Sequence, residues 1–486
     1  MGYGKDLQEF LLKYCHIKAI YDNQSKRSSE HADVNTIIAI FSASNVGAIH
    51  ELPLQNIARF VMFKRPFEEV INTRNLLEIE RANDIVKADT YRVFPVKQET
   101  LLEEGWEYPE DVDAIHELPK DMKTNQALPK SVGAVHELPK NIGAIRESPL
   151  QKPKQKALIR DKFLTGKYEG NKWGGKYLRA PDIFFTILEK GKGKLVRLGD
   201  IAEVRRGFTT GCNEFFYLPN KHFDIWKDGK YYELIPKYEG LPKGIKIEEN
   251  YLKPLIKGPK DCNSIAIESK KLKSRIFICH DNKQAIKEKF LYDYIIWGEN
   301  MKFHVRETMK NRSDWWILGD HKIPAFLIIK GPWLRHFVPI NTAKAYCDQQ
   351  VYEVVLKENL DIHKAGLIAN STLSALFFEI EGRSNFGEGI LWLAVYEATN
   401  LLLLDPNLSF EIEEKIFQRK VEEIFIELGI NPNLLIREQK PNPFPDRKAL
   451  DDVVFDILGL TQDERNEVYW AVCELVKNRL DKAKSV

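Results

Sequence analysis

The hydrogen-bond donors with the clearest chemical use in this chain lie in one short loop. They flank Gly207 and Gly211: Arg205, Arg206, Thr209, Thr210 and Asn213. An arginine fork matches the paired acceptors of a guanine edge or a phosphate, and hydroxyl and amide side chains bind single acceptors. The loop therefore predicts contacts with nucleic-acid bases or phosphates. A surface turn whose charge is incidental is the alternative.

A second loop supplies two further candidates of the same kind, Arg383 and Asn385. We assign both to the same DNA-binding set. The glycines at 387 and 389 follow a segment with helical periodicity rather than a strand, so they favour a structural turn over a dinucleotide-binding loop. The six cysteines are scattered, with no Cys-x-x-Cys pair, which predicts no metal site and reduced thiols in a cytosol.

Positive charge is concentrated around the first loop. Residues 151–344 hold 39 lysines and arginines against 22 aspartates and glutamates, a net charge of +17, although the whole chain carries only +2. Six of the nine tryptophans lie in the same segment. Such an excess is typical of a protein that neutralises the backbone phosphates of DNA. A lysine-rich solvated surface over an aromatic core is the alternative.

Strands and helices must hold the two loops in place. Residues 195–204 are amphipathic and lead into the first loop, and a helical period over 369–382 leads into the second. Between them, 337–341 and 345–355 have the composition of a pair of strands. The middle of the chain is therefore predicted to be a mixture of short strands, turns and a few helices.

The start of the chain predicts part of an α/β sheet. Residues 5–14 have a helical period, 17–21 form a short strand, and 34–43 are a nearly continuous β-branched run, which is typical of a strand buried on both faces. Such a sheet normally has earlier strands and a glycine-rich ligand loop, but here the sequence begins four residues before the helix. We therefore expect these strands to lack neighbours unless another chain supplies them.

A short motif of the type HELP recurs four times. The copies are GAIHELPLQ at 47–55, DAIHELPK at 113–120, GAVHELPK at 133–140 and GAIRESPLQ at 143–151. Their spacing is irregular and each contains a proline, which argues against a solenoid. Their histidines do not form a convergent ligand set, so a metal site is not favoured. We interpret the copies as a dispersed DNA repeat translated in frame and tolerated in loops.

The C-terminal part is predicted to be helical. Residues 408–428 and 461–484 are long amphipathic helices, joined by a Pro/Asn-rich connector over 431–445. No stretch is long and apolar enough to span a bilayer, and the first thirty residues lack the core of a signal peptide. The sequence therefore predicts a soluble, cytoplasmic protein with no membrane partner.

Five stretches of the sequence carry a family resemblance. They are GYGKDLQEFLLKYCHIKAIYD, HADVNTIIAIF, KWGGKYLRAPDIFF, VRLGDIAEVRRGFTTGCNEFFYL and ALFFEIEGRSNFGEGILWLAVYE. Their order resembles the C-terminal two-thirds of adenine-specific DNA methyltransferases found in fused, type IIG-like restriction-modification enzymes and related phage-defence methylases. Residues 195–218 also resemble the opening of the recognition domains of type I specificity subunits.

The resemblance implies a mixed α/β fold in three parts. A truncated Rossmann-like methyltransferase sheet comes first, then an α+β target recognition domain similar to type I specificity subunits, then a helical C-terminal region. The implied boundaries are these: 1–112 for the remnant of the catalytic domain, interrupted by a repeat at about 46–56; 113–160 for the repeat-rich insertion; 170–400 for the recognition domain; and 401–486 for the helical region.

Three departures from the family limit what the resemblance implies. The family binds S-adenosylmethionine through a glycine-rich loop and holds the flipped adenine with an Asn-Pro-Pro-aromatic tetrapeptide, and neither motif occurs in this sequence. The family also places an aromatic residue five positions before the strand that starts VNT, to stack on the flipped base. Ser29 occupies that position here. No catalytic or cofactor-binding residue is therefore assigned, and S-adenosylmethionine is implied only for the complete family enzyme.

Two functions follow from the resemblance. In the first, the chain is the DNA-binding specificity part, inactive alone, which either complements a separately encoded catalytic half or remains from a broken gene. In the second, it is a working adenine methyltransferase completed by sequence upstream of Met1 or by a partner chain. Double-stranded DNA is the expected partner in both.

Overall fold

A computed structural model describes most of the chain. The described residues are 3–23, 37–43, 56–107, 166–312, 314–357, 359–384, 387–411 and 419–485. Ser29, Asn385 and all four copies of the HELP-type motif lie outside them. The described part is a mixed α/β protein, which confirms the predicted fold class at that level.

The N-terminal part is built around a five-stranded sheet with the order β2-β1-β3-β5-β4. Only β1 and β3 are parallel, and the other neighbours are antiparallel. Its strands are β1 Cys15–Asn23, β2 Ile37–Ala43, β3 Ile57–Phe63, β4 Val86–Lys87 and β5 Tyr91–Lys97. Its helices are α1 Tyr3–Tyr14, α2 Phe67–Val70, α3 Thr73–Arg81 and α4 Gln98–Glu104. A two-stranded ribbon follows, β6 Trp106–Glu107 with β7 Lys167–Tyr168.

The predicted helix at 5–14 and strand at 17–21 are confirmed, but two other expectations for this part are wrong. The β-branched run forms β2, whose described residues lie at the edge of the sheet with almost all side chains exposed instead of buried on both faces. Strand β1 has a neighbour on each side, so it does not lack partners. The composition of the run specified an extended backbone, whereas its burial depended on sheet order, which the composition does not encode.

Two buried polar side chains fix the sheet to its surroundings. Gln98 is fully buried, and its amide accepts from the backbone N–H of Ile17 (2.9 Å) and donates to the carbonyl of Cys15 (3.0 Å). Arg92 donates to the carbonyl oxygens of Leu178 (2.9 Å) and Ala180 (2.7 Å). Because these carbonyls belong to the middle segment, the N-terminal sheet and the middle segment are held together by a buried charge.

The middle segment is a set of small sheets with short helices between them. Its strands are β8 Leu195–Arg197, β9 Ala202–Arg206, β10 Tyr217–Leu218, β11 Phe223–Asp228, β12 Tyr231–Pro236, β13 Lys246–Glu248, β14 Leu252–Ile256, β15 Ser274–Phe277, β16 Phe326–Ile329, β17 Tyr346–Cys347 and β18 Val351–Leu356. Its helices are a π-helix at Gly174–Arg179, α5 Asp182–Lys190, α6 Leu198–Ile201, α7 Asn213–Phe216, α8 Lys283–Ile286, α9 Leu291–Asn300, α10 Ile362–Ile368 and α11 Thr372–Glu381, with further single 3-10 turns.

One sheet of this segment holds the first loop. Its strand order is β16-β18-β9, with both pairs antiparallel. The predicted pairing of 337–341 with 345–355 is therefore wrong: β18 lies between β9 and β16, and Ile340 makes only isolated bridges to Phe326 and Ala266. The apolar side chains of β18 are buried by strands distant in sequence, and a local hairpin pattern does not reveal such partners.

The C-terminal residues share a core with the middle segment. They form α12 Val395–Thr399, β19 Leu402–Leu404, α13 Ile424–Glu427, α14 Pro445–Leu458 and α15 Gln462–Ala483. Strand β19 pairs with β8 across the predicted boundary at 400. Helix α15 confirms the predicted helix at 461–484, and Thr461 caps its N-terminus by accepting from Glu464 N. The predicted long helix at 408–428 is wrong in its described residues, and α14 was not predicted.

Glu427, the last residue of α13, is the centre of a buried ion cluster. Its buried carboxylate accepts from Arg419 Nη2 (2.8 Å), Arg447 Nε (2.7 Å) and the backbone N–H of Glu422 (2.8 Å). Burial acts to raise the pKa of Glu427, but the two guanidinium groups hold this pKa at about 2. Because the folded pKa is lowered, the ionised carboxylate stabilises the fold at neutral pH, and this stability is lost as the pH falls from about 4 toward 2.

We predict that Glu427→Gln lowers the free energy of unfolding at pH 7 by about 3–5 kcal/mol, because it leaves buried Arg447 without its counter-charge. Denaturant titrations at pH 7 and at pH 3 measure the effect, which should shrink at pH 3 because Glu427 is then protonated in the unfolded state while it is still largely ionised in the fold. Glu467→Gln is the control, since that acid pairs with Arg437 at the surface and should contribute about 0–1 kcal/mol. Equal losses in the two variants at pH 7 would contradict the prediction.

Candidate nucleic-acid interface

The first loop is locked to the turn that joins β17 to β18. Phe208 N donates to Cys347 O (2.8 Å), and Gln349 N donates to Phe208 O (3.1 Å). At Gly207 an added Cβ would lie 2.5 Å from the carbonyl oxygens of both Cys347 and Asp348. Only glycine permits this approach, so two segments more than a hundred residues apart present one continuous surface.

Arg205 is engaged inside the fold. It lies opposite Glu353 in the β9–β18 register, and its Nε donates to Glu353 Oε2 at 2.8 Å. Glu353 is fully buried and also contacts His321 Nδ1 at 2.9 Å from the same oxygen. The guanidinium therefore neutralises a buried carboxylate. Its predicted role at the DNA remains a prediction.

Arg206 has a different environment from its neighbour. Its side chain is exposed and makes no hydrogen bond or ion pair with any residue that the structure describes. Across the strand from it lies Tyr352, over whose ring Lys330 Nζ sits 4.9 Å from the centroid. Burial and the charge of Arg206 lower the pKa of Lys330. Two cations are thus held close together.

The nearby acid does not pair with either cation. Lys330 Nζ donates to the backbone carbonyl of Gln349 rather than to a carboxylate. Asp348 precedes Gln349 in the same turn, and its charge opposes the lowering of the pKa of Lys330. Its buried carboxylate is already occupied, however, by the hydroxyl of Tyr217 (2.7 Å) and by Gln350 N (3.0 Å). The two cations are therefore available to an external anion.

Of the remaining hydrogen-bond donors of the first loop, some are exposed and one is buried. Thr209 is exposed, and its hydroxyl donates to Gln349 Oε1 at 3.2 Å. Thr210 is buried: its hydroxyl accepts from Cys212 N (3.1 Å) and donates to Asn213 Oδ1. Asn213 is exposed at the start of α7. Thr209 and Asn213 can thus face a ligand, whereas Thr210 shapes the loop.

Arg383 lies in a second group close to the first. Its Nε donates to Glu397 Oε1 (2.8 Å) and its Nη2 donates to the hydroxyl of Tyr396 (2.6 Å). Burial raises the pKa of the Tyr352 phenol, and both Arg206 and Arg383 act to lower it, so the two guanidinium groups lie within electrostatic range of the same ring. Asn385 is outside the described residues.

We call the surface formed by Arg206, Thr209, Lys330 and Gln349 the basic face. The sequence pointed to Arg206 and Thr209 and missed the other two. Lys330 directly follows β16, and Gln349 lies two residues before the first residue of β18. Polar residues at the ends of apolar strands are a usable signal, but only the strand pairing brings these ends beside residue 206.

Comparison with known proteins identifies the family. Residues 170–430 match the C-terminal domain of the type II methyltransferase M.Eco57I, which is more than half of the chain. The chain belongs to this family. Three of the five resembling stretches lie within the match, which confirms the resemblance to the C-terminal portion of such a methyltransferase: KWGGKYLRAPDIFF, VRLGDIAEVRRGFTTGCNEFFYL and ALFFEIEGRSNFGEGILWLAVYE. It spans the basic face and both loops.

A solved structure is also similar to this chain, at low sequence identity. The crystal structure of the type IIG restriction endonuclease BpuSI aligns with 99% of this chain and 46% of its own length, at 11% identity and a TM-score of 0.40. The chain thus spans about half the length of that enzyme. No curated protein matches the sequence.

The described residues contain neither a candidate metal site nor a membrane-spanning helix. No group of three or more histidine, cysteine, aspartate or glutamate side chains there is placed to hold a metal ion. None of the helices in the same residues is both long enough and apolar enough to cross a membrane.

We predict that Gly207→Ala lowers the free energy of unfolding by about 1–3 kcal/mol, because the methyl group would overlap two carbonyl oxygens. Denaturant titration measures the change. Gly319→Ala is the matched control, since a Cβ at that exposed glycine meets no atom within 4 Å. A Gly207→Ala variant as stable as Gly319→Ala would show that the two segments do not approach this closely.

Proposed function

We propose that this chain is the target-recognition part of a restriction-modification DNA methyltransferase and binds duplex DNA through the basic face. The observation that carries the proposal is the adjacent pair of Arg206 and Lys330, neither of which is bonded to a carboxylate in the described part of the chain. Holding two like charges together is unfavourable unless an anion lies between them. A DNA phosphate supplies such an anion, and its release of counterions drives binding.

The contrast with other cations of the middle segment supports this location. Several lysines there pair with acids, including Lys227 with Glu249, Lys283 with Glu299 and Lys289 with Asp281. These pairs lower the local charge, so the net excess of the segment is not spread evenly over its surface. The basic face retains its charge.

Further parts of the proposal come from the family. We propose that the DNA modified by the complete enzyme carries the methyl group on adenine, with S-adenosylmethionine as the donor. We also propose that the N-terminal sheet is the end of a Rossmann-like catalytic domain, and that the middle segment has the architecture of a type I specificity-subunit recognition domain.

We predict that the full chain binds duplex DNA with an affinity that falls steeply as salt increases, because phosphate contacts dominate the free energy of binding. Arg206→Ala should weaken binding to all sequences and reduce the slope of log K against log salt by about 1. Fluorescence anisotropy at several salt concentrations measures both.

Arg437→Ala is the control for this experiment. It also removes one exposed arginine, but one that pairs with Glu467 and Glu474 in the C-terminal part. It should leave the salt slope unchanged. The proposal fails if the wild-type chain does not bind at low salt, and the assignment to the basic face fails if the two variants behave alike.

A second function is supported by the edge of the N-terminal sheet. Strand β2 has one strand neighbour among the described residues, and four of its large apolar side chains are exposed: Ile37, Ile38, Ile40 and Phe41. An exposed apolar edge is a template for pairing with another chain. We propose this edge as the place where a separate catalytic half would dock to give an active adenine methyltransferase.

We predict that the 486-residue chain alone neither binds S-adenosylmethionine in calorimetry nor transfers a labelled methyl group to DNA. The reason is that its sequence contains neither the glycine-rich loop nor the Asn-Pro-Pro-aromatic tetrapeptide of the family. DNA binding by the same preparation is the control for folding. Methyl transfer by the isolated chain would contradict the prediction and favour a donor site built from other residues.

A further inference from the structure

Gln349 is held more rigidly than an exposed residue in a turn usually is. Its backbone N–H donates to Phe208 O (3.1 Å), and its carbonyl oxygen accepts from Lys330 Nζ. The adjacent Asp348 is buried and fixed by the hydroxyl of Tyr217. Every backbone polar group of Gln349 therefore has a partner, so the position from which its side chain projects is fixed.

Only the oxygen of the Gln349 side-chain amide is engaged. Thr209 donates its hydroxyl to Gln349 Oε1 at 3.2 Å, while the amide nitrogen has no hydrogen-bond partner in the part of the chain that the structure describes. A hydroxyl both donates and accepts, so Thr209 can hold the amide in either orientation and leave the other half facing solvent. The amide is thus oriented and still able to bind.

We propose that Gln349 contacts a base edge in the bound duplex and that its preferred base is adenine. The inference rests on the proposed DNA-binding function and deepens it by naming a residue that sets sequence preference. Glutamine can accept from adenine N6 and donate to adenine N7 at the same time. Its Oε1 retains a lone pair beside the Thr209 bond, and its Nε2 retains both hydrogens.

The neighbours of Gln349 are suited to contact the DNA backbone while Gln349 contacts a base. Arg206 and Lys330 lie on the same face and are suited to backbone phosphates, which fix the register of the protein on the duplex. A side chain held between phosphate contacts reaches the groove at a defined place. Thr209 is then a positioning residue, because its hydroxyl acts through the Gln349 amide.

Gln350 provides a matched control. It is the next residue along the chain, of the same type and also exposed, but its side chain lies over Gly258: its Oε1 is 2.7 Å from where a Cβ of that glycine would stand. It is therefore directed along the protein surface. Gln350→Ala removes the same atoms as Gln349→Ala without removing the oriented amide.

The test is selection of DNA from a randomised duplex pool by the full chain, followed by affinity measurements on the enriched sequence and on an unrelated duplex. Gln349→Ala should weaken binding to the enriched sequence by about tenfold or more, which is the usual loss for a bidentate base contact, and leave the unrelated duplex and the salt slope unchanged. In this variant, the preference of the protein for an A·T pair at one position of the enriched sequence should be lost. Thr209→Val should weaken that preference, and Thr209→Ser should retain it.

The outcomes separate the two proposals. Loss of preference at one A·T pair in Gln349→Ala but not in Gln350→Ala supports the inference. Selective binding that Gln349→Ala leaves unchanged, or wild-type binding without any sequence preference, overturns the inference while DNA binding stands. Absence of DNA binding by the wild-type chain overturns the proposed function and the inference with it.

Discussion

The close approach of Gly207 to the turn at Cys347 and Asp348 is the constraint on which the candidate site depends. Without it, the loop after β9 and the turn before β18 would be two separate surface segments. Backbone bonds on both sides of Phe208 join them, and the His321 ring stacks on the Phe208 ring with the centroids 3.8 Å apart. His321 in turn contacts Glu353, the partner of Arg205. The interior contacts of Phe208, His321 and Glu353 therefore set the geometry of the exposed basic face.

Buried acids decide which cations remain available. Glu353, Glu379 and Glu427 are each almost fully buried and each pairs with at least one arginine. An arginine in such a pair is needed for stability, since removing it leaves an uncompensated buried charge. The charge of a segment, counted from its sequence, therefore overstates the charge that a ligand meets. Arg206 and Lys330 matter because neither of them pairs with an acid among the residues that the structure describes.

The sequence predicted the kinds of elements better than their surroundings. The helix at 461–484 was predictable because Thr461, Glu464 and the apolar period all act locally. The β-branched run at 34–43 was predictable as a strand but not as an exposed edge. Gln349 and Lys330 gave no signal of their own, because their importance arises from β18 lying between β9 and β16, and that order is decided by packing between distant segments.

Arg205 and Arg206 show most directly what sequence reasoning lacks. Both are adjacent arginines in a loop-like motif, and their chemistry alone gives them the same role. Successive residues of a strand project to opposite faces, so only one of them can share a face with a given neighbour. The β9–β18 register places Arg205 opposite Glu353 and Arg206 opposite Tyr352. A shift of one residue in that register would bring either Arg206 opposite Glu353 or Arg205 opposite Tyr352, which makes strand register, rather than residue type, the origin of the candidate interface.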